Sequence, residues 1–423
     1  MCAWYNELPE HWEEHKISEI FSERREKVSD TDFAPLSVSI GGVVPQIATV
    51  AKSDAGDNRK LVIKGDFAIN SRSDRRGSSG VSQYDGSVSL INIVLTPRTE
   101  TNPKYWHYLL KSHNFVEEYY RNGRGIVSDL WTTRYAEMKN IYLPVPPNDE
   151  QDQIVRYLDW KVSGINRLVN AKRRQVALLR EMKRAVVNEA VTKVGEGWQQ
   201  LRIKTTAKIL RGKFSHRPRN DPALYDGEYP FIQTGDVART GKYIREYKQT
   251  LNEKGYSVSK QFPKGTLTMT IAANIGDVAI LDFDACFPDS IIGFIPYNGI
   301  DLEYLYYAFY SMKAEFVKEA PINTQGNLNV ERVGAMVISI PQEKKQQEIV
   351  REVECHTTDI DILISKLNDE IALFAEYRTR LISDVVTGKM DVSSVVVPEY
   401  METECTELDV EESDELRDVE SAE

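Results

Sequence analysis

Residues 150–192 and 345–387 are two versions of one segment, and this internal repeat limits the possible folds more than any other feature. At an offset of 195 residues, about fifty positions align without a gap. EQDQIVRYLDWKVSGINRLVNAKRRQVALLREMKRAVVNEAVT falls on KQQEIVREVECHTTDIDILISKLNDEIALFAEYRTRLISDVVT, with Ile154-Val155 on Ile349-Val350, Ile165 on Ile360, Leu168 on Leu363 and Val191-Thr192 on Val386-Thr387. A period this long is no solenoid repeat and means a duplicated half-protein. Heptad a and d positions are Leu158, Val162, Ile165, Val169, Lys172, Val176, Leu179, Lys183, Val186 and Ala190 in the first copy. In the second they are Val353, Thr357, Ile360, Ile364, Leu367, Ile371, Phe374, Arg378, Leu381 and Val385. Eight of ten are apolar in each, which is a coiled-coil seam. Pro146-Pro147 and Pro341 stand before the copies, and Gly195 and Gly388 after them, as helix start and stop chemistry requires. About 45 residues at 1.5 Å each make rods of roughly 65 Å. Helices that merely dimerise the protein are one reading. The other is that two like seams in one chain close on each other antiparallel, setting the preceding globular segments at opposite ends about an approximate two-fold axis.

Those segments correspond loosely. Trp12 and Ile17 align with Trp198 and Ile203 at an offset of 186, so loop lengths differ. VIKGDFAIN and FPKGTLTMT each predict a turn entering a buried strand, SLINIVLTP and SIIGFIPYN a later strand. YWHYLLKSHNFVEEYY and LEYLYYAFYSMKAEFV predict short amphipathic helices. The expected class is α+β: two α/β globular domains, residues 1–146 and 196–341, separated by long helices at 147–195 and 342–390, with a tail at 391–423. Similar rods with dissimilar heads suit a protein whose rods meet fixed partners while its heads read something variable.

At 423 residues, 41% hydrophobic and 28% charged, the composition is that of a multi-domain soluble protein. No apolar run approaches the roughly 20 residues of a membrane span. MCAWYNELPEHWEEHK lacks the basic and apolar regions of a signal peptide. Cys2, Cys286, Cys355 and Cys405 lie far apart, which fits reduced thiols in a cytoplasm. The net charge of −11 is localised: residues 398–423 hold twelve acidic side chains and one basic, so the other 397 residues balance at 52 of each. That composition predicts a disordered tail.

Catalytic signatures are missing. The only Pro-Pro, Pro146-Pro147, is followed by Asn148 and not by the aromatic residue of an amino-methyltransferase loop. GDVARTGK at 235–242 has five residues between its glycines where a P-loop has four, and Tyr243 takes the hydroxyl position. His11 to His15 matches the short H-x-x-E-H zinc pattern without a third ligand, so a solvated helix turn is expected. Asp289 lacks the paired Glu-x-Lys of a nuclease and is expected to be a buried or turn acid.

With these residues in place, the chain from about residue 10 to 390 resembles the specificity (S, HsdS) subunits of type I restriction-modification systems. The marks are the junctions IYLPVPPNDEQDQIV and VISIPQEKKQQEIV, half a chain apart, together with INSRSDRRGSSG, DGSVSLINIVL, GRGIVSDLWTTRYAEMKNI and TQGNLNVERVGAMVI. EKKQQE departs from the family, which shows an apolar residue and Glu-Gln there, and the acidic tail has no family role. The resemblance implies a non-catalytic, cytoplasmic DNA-specificity subunit. Its helices bind two modification subunits to form an adenine methyltransferase, and restriction subunits add an ATP-dependent translocase and endonuclease. S-adenosylmethionine, ATP and Mg would sit on the partners, with no cofactor or metal on this chain. Each domain would read half of a split double-stranded DNA target, and the rods would fix the gap. The seam residues Leu158, Ile165, Val169, Val176, Leu179, Val186, Ile360, Ile364, Leu367, Ile371, Phe374 and Leu381 would carry the assembly.

Phosphate contacts need cations and small hydrogen-bonding residues on loops, and base reading needs long polar side chains reaching an edge. Arg72, Ser73, Arg75, Arg76, Ser78 and Ser79 lie on one Gly/Ser-rich stretch after a predicted strand, with Arg59, Lys60 and Arg124 as secondary candidates. In the second domain Leu201 to Asn220 carries seven basic residues and no acid, including Arg211, Lys213 and Arg217. Gln233, Thr234, Arg239, Lys242, Asn323, Gln325 and Asn327 complete the set. The rival readings are a coiled-coil scaffold without DNA binding and a self-sufficient methyltransferase or nuclease.

Overall fold

The computed structural model describes residues 4–5, 8–46, 58–125, 131–193, 195–272, 274–320 and 328–403. It comprises two units, residues 1–172 with 369–411 and residues 173–368 with 412–423. The division falls inside two long helices, Asn148–Thr192 of 45 residues and Glu343–Val386 of 44. Each stops a few residues short of its expected end, the second just before Gly388, whose φ is +72°.

In the first unit the short strand Glu13–Lys16 pairs antiparallel with Tyr142–Val145, the strand that leads into the first long helix. Its central sheet orders Phe21–Glu23, Asn92–Pro97, Phe67–Asn70 and Ser79–Val81. Phe67, Ile69, Ile93 and Leu95 alternate onto one face, as half-buried strands dictate. The helices Pro103–Lys111 and His113–Arg121 bury Tyr105, Trp106, Leu109, Phe115 and Tyr119 against it. Asn102 caps the first helix through Lys104 N–H and Tyr105 N–H, and Ser112 caps the second through Phe115 N–H.

The second unit is built to the same order. Gln199–Arg202 pairs with Val337–Ile340, and the main sheet runs Ala207–Arg211, Ile291–Pro296, Leu267–Thr270, Val278–Leu281 and Tyr243–Ile244. Leu302–Ser311 and Lys313–Glu319 are the matching helices. The turns before Phe67 and Leu267 both use a left-handed glycine, Gly65 at +94° and Gly265 at +84°, as VIKGDF and FPKGTL led one to expect. Divergence sits in the additions. The first unit carries a hairpin, Leu36–Ser39 with Gly42–Pro45; the second carries a separate sheet of Gln249–Leu251, Tyr225–Phe231, Ala285–Cys286 and Gln261–Phe262.

Each junction into a long helix is locked by a buried glutamine. Gln151 donates to Pro146 O at 3.0 Å and accepts from Thr101 Oγ1 at 2.9 Å. Gln346 donates to Pro341 O at 2.8 Å and Gly299 O at 3.0 Å, and accepts from Asp301 N–H at 2.7 Å. EKKQQE therefore keeps the glutamine in place as Gln346, while Lys345 stands where the first junction has Glu150.

Within each unit the two long helices lie against each other, with some of the expected seam residues buried and others half-buried. In the first, Leu158, Ile165, Val169, Leu381 and Val385 share one core with the domain, Ile371 and Phe374 pack on it half-buried, and Arg378 donates to Asn166 Oδ1 at 2.9 Å. In the second, Lys183 meets Asp361 at 2.7 Å while Val187 and Val191 join Val350 and Val353 in one core. Val176, Ile360 and Leu367 are buried, whereas Leu179, Val186 and Ile364 are half-buried. In both units low numbers on one helix meet high numbers on the other, the antiparallel sense. Among the described residues no helix is long and apolar enough to cross a membrane.

The tail departs from expectation. Residues 391–403 are placed against the first long helix, with Val392 buried and its carbonyl accepting from Gln153 Nε2 at 3.0 Å. Residues 404–423 lie outside the described residues.

Candidate nucleic-acid interface

Two sequence clusters that looked separate meet in the first unit. The strand Phe67–Asn70 delivers the chain into a loop whose Ser73–Arg75 segment forms one 3-10 turn. That loop is stitched to the stretch around Arg124: Ser73 N–H donates to Trp131 O at 3.0 Å, Thr133 N–H to Ser71 O at 2.9 Å, and Arg124 pairs with Thr132 in a β-bridge. From below, Tyr120 Oη donates to Asn70 O and Arg75 O, each at 3.3 Å. Arg72, Arg75, Arg76, Arg121 and Arg124 thus share one exposed surface. Arg76 is held by Glu117 at 2.7 Å and lies over the Tyr120 ring; Arg72 is held by Asp74 at 3.0 Å. Arg124, 84% exposed, reaches Glu137 only at 3.9 Å. Beside them opens a cleft of about 680 Å³ lined by Trp4, Ser73, Arg76, Glu117, Tyr120 and Trp131. Such a surface offers cations for phosphates and planar guanidinium forks for base edges. Gly123 is required where the stretch closes, since a Cβ there would lie 2.3 Å from Trp131 Nε1.

The loop rests on polar groups enclosed by the fold. Lys111 Nζ donates to Ser79 O at 3.1 Å and Ile40 O at 2.7 Å, and burial pushes its ammonium down to about 8. His107 Nδ1 accepts from Val81 N–H at 3.3 Å, and burial first, then Lys111 and Lys104, push the imidazole down to about 3. Ser78 and Ser79 are buried here and belong to the support, not to the surface. Arg59 is corrected likewise: only 9% exposed, it donates to Ser87 Oγ and Ser87 O, each at 2.9 Å, and burial lowers its pKa. Lys60 is committed to Asn92 O at 2.8 Å, with Glu23 at 3.6 Å.

In the second unit the basic stretch after Ala207–Arg211 converges on Asp289. Arg219 meets its carboxylate at 2.6 Å, Arg217 lies at 4.0 Å, and Arg211 Nε donates to its carbonyl at 2.7 Å. Asp289 is therefore the acid that organises a basic loop. Gly212 lets that loop pass the 287–288 turn, where a Cβ would lie 2.0 Å from Pro288 O. Arg211, Lys213 and Arg217 remain exposed. Gln233 is half-buried and donates to Gln249 Oε1 at 2.6 Å, while Arg239 is exposed beside Asp236 at 3.2 Å. Two expectations fail here. Thr234 is buried at the start of the helix Thr234–Arg239. Lys242 is spent on Glu354 at 2.6 Å and Glu303 at 3.0 Å, over the Tyr307 ring. The stretch 235–242 thus has its lysine engaged and its glycine region in a helix. Asn323, Gln325 and Asn327 lie outside the described residues.

The H-x-x-E-H string runs into the strand Glu13–Lys16, not a helix turn, with His11 on Glu150 at 2.7 Å and His15 on Glu13 at 2.7 Å. Among the described residues no group of three or more His, Cys, Asp or Glu is placed to hold a metal ion.

Comparison with known proteins follows the same lines. The model of the type I restriction modification DNA specificity domain matches residues 195–373. Over 431 residues the chain is 20% identical to the putative type I restriction enzyme MjaX specificity subunit of Methanocaldococcus jannaschii, covering 92% of this chain and 96% of that one. It is 27% identical to the MjaIX specificity subunit of the same organism over 164 residues, 38% of each chain. A solved chain from work on complex assembly and conformational transition of the type I R-M system shares the fold, with a TM-score of 0.60 at 13% identity over 91% of this chain and 100% of that one. The fold is of the α+β class, with two units that share a sheet order and differ in their basic loops. Over residues 195–373 the chain is similar to the type I restriction modification DNA specificity domain, and along nearly its whole length to a curated type I specificity subunit.

Proposed function

We propose that the chain is the non-catalytic specificity subunit of a type I restriction-modification complex and reads a bipartite double-stranded DNA target. The carrying observation is that one sheet order with one helix junction occurs twice, each time with a different cluster of exposed arginines. The first half-site would fall to Arg72, Ser73, Arg75, Arg76 and Arg124, the second to Arg211, Lys213, Arg217 and Arg239. The long helices, antiparallel within each unit, would meet the partner subunits and set the unspecified gap. Adenine methylation, with S-adenosylmethionine, belongs to two modification subunits; restriction subunits bring ATP, Mg and cleavage.

Exposed apolar residues on the long helices support docking of two copies of one partner. Leu168, Leu178 and Met182 are 50%, 61% and 56% exposed, and their counterparts 195 residues on, Leu363, Leu373 and Tyr377, are 46%, 63% and 51% exposed. The same large side chains left to solvent at the same spacing mark two like contact surfaces. Exchanging residues 1–146 for the equivalent domain of a relative tests the reading. One half of the methylated motif should change and the other stay; a chimera that alters both halves together would sink it.

A further inference from the structure

We propose that Lys111 is a positioning residue for the first half-site: its ammonium pins the exit of the arginine loop to the hairpin 36–45 and so holds Arg72, Arg75 and Arg76 in the register that discriminates bases. The inference rests on the reading that this loop meets DNA. The strand Ser79–Val81 forms one edge of the first unit's sheet. Ser78 O accepts from Asn70 N–H on the inner side, so strand alternation turns Ser79 O and Val81 N–H outward, where an edge strand is open to pairing. The helix Pro103–Lys111 closes that edge with two side chains one turn apart. His107 Nδ1 accepts from Val81 N–H at 3.3 Å, and Lys111 Nζ donates to Ser79 O at 3.1 Å.

Lys111 also joins the two layers that the sheet separates. Its helix lies on the face of Phe67 and Ile69, whereas the hairpin packs Leu36, Val38 and Val43 with Ala68 and Val94 on the opposite face. The lysine reaches past the edge strand and donates to Ile40 O, at the hairpin's turn, at 2.7 Å. There the hairpin already touches the edge strand so closely that a Cβ on Gly80 would lie 3.0 Å from Gly42 Cα. Helix, edge strand and hairpin are thus clasped at one nitrogen, and residues 71–78 run into that clasp at Ser79.

Sealing an edge does not need a cation. A buried ammonium without an acid beside it is unfavourable, and burial alone pushes Lys111 down to about 8. An amide or a hydroxyl would satisfy Ser79 O with less desolvation; what the long cationic side chain adds is the second carbonyl, on the other layer. The duplication supplies a control. Tyr105 and Tyr304 correspond, since their hydroxyls donate to Pro144 O and Ser339 O, which lie 195 residues apart. On that alignment His107 falls on Tyr306 and Lys111 on Tyr310. The matching strand there, Val278–Leu281, is covered by the strand Tyr243–Ile244, so the clasp belongs to the first unit alone.

The test compares three full-length variants: Lys111→Met, which keeps the apolar stem and removes the donor; Arg72, Arg75 and Arg76 replaced together by Ala; and the two combined. Each is assayed with co-expressed modification subunits on duplexes carrying the motif mapped in the host genome and on single-base variants of it. Lys111→Met should cut discrimination at the first half-site by at least about five-fold, the lower end of what one bidentate base contact supplies, and leave the second half-site unchanged. Hydrogen-exchange protection should fall at 71–81 and hold at 103–121. On the triple-alanine background the same substitution should change nothing further, because it acts through the loop. Unchanged discrimination in Lys111→Met overturns the proposal. So does an equal loss on the triple-alanine background, or protection lost throughout 13–145, which is plain unfolding. A triple-alanine variant that discriminates like the wild type removes the loop from the interface and overturns the underlying reading, and this inference with it, by a result distinct from the other three.

Discussion

Replacing Gln346 with alanine removes three hydrogen bonds from a fully buried site and strands their partners. Asp301 N–H, Gly299 O and Pro341 O are each deprived of their link to one amide. At about 1 kcal/mol per net bond the destabilisation is about 3 kcal/mol, before any cavity is counted. Asp301 also caps the helix Leu302–Ser311, so the damage should spread into the helix that carries Tyr304 and Phe309. For a unit of this size, about 3 kcal/mol lowers Tm by about 6–12 °C. Gln346→Glu should fare no better, because a carboxylate still accepts from Asp301 N–H but turns an oxygen toward two carbonyls. Hydrogen exchange read along the chain is the assay: amides of 298–311 and 341–350 should lose protection while those of 13–145 keep theirs. A destabilisation below about 0.5 kcal/mol, or one spread evenly over both units, would refute the view that this glutamine fastens domain to helix.

Three further outcomes follow from the same geometry. Ile165→Asp with Ile360→Asp places carboxylates in buried seam positions, so it should cost at least about 3 kcal/mol and abolish co-purification with modification subunits while the domain strands keep exchange protection. Alanine at Arg72, Arg75 or Arg76 should lower the salt slope of DNA binding by about 0.9 for each phosphate the arginine neutralises, or cost about 1–3 kcal/mol on the cognate site alone where the arginine reads a base; three variants unchanged in both would remove the loop from the interface. The imidazole of His107 titrates near 3 when folded and near 6.5 when unfolded, so stability should fall as pH drops through 6.5, by about 2–3 kcal/mol at pH 4.5, an effect absent from His107→Gln as followed by acid unfolding.

Local period and turn chemistry made the scaffold legible. The heptads found both long helices to within a few residues, and GDF and GTL marked the strands Phe67–Asn70 and Leu267–Thr270 because a left-handed glycine before alternating apolar residues has few other uses. The interface was legible as clusters and poorly as members. Nothing near Arg59 or Lys242 in the chain announces Ser87 or Glu354, which lie 28 and 112 residues away and turn exposed-looking cations into enclosed ones. The union of residues 71–76 with 121–124 likewise depends on Tyr120 and Trp131, aromatic residues that sequence period assigns only to a core. Residues 391–403 escape a sequence reading for the opposite reason: they carry no helix or strand period and run on into the acidic tail, and only the placement of Gln153 and Ser163 reveals that their backbone is bound.

The central claim is that this chain decides which DNA sequence its complex modifies, one half-site per unit. It is tested most directly by mapping methylated adenines across the host genome with and without the gene, both strands read at single-base resolution. The account predicts one asymmetric motif of two specified halves around a gap of fixed length, present with the gene and absent without it. A methylation pattern that survives loss of the gene, or a single uninterrupted motif, would contradict it.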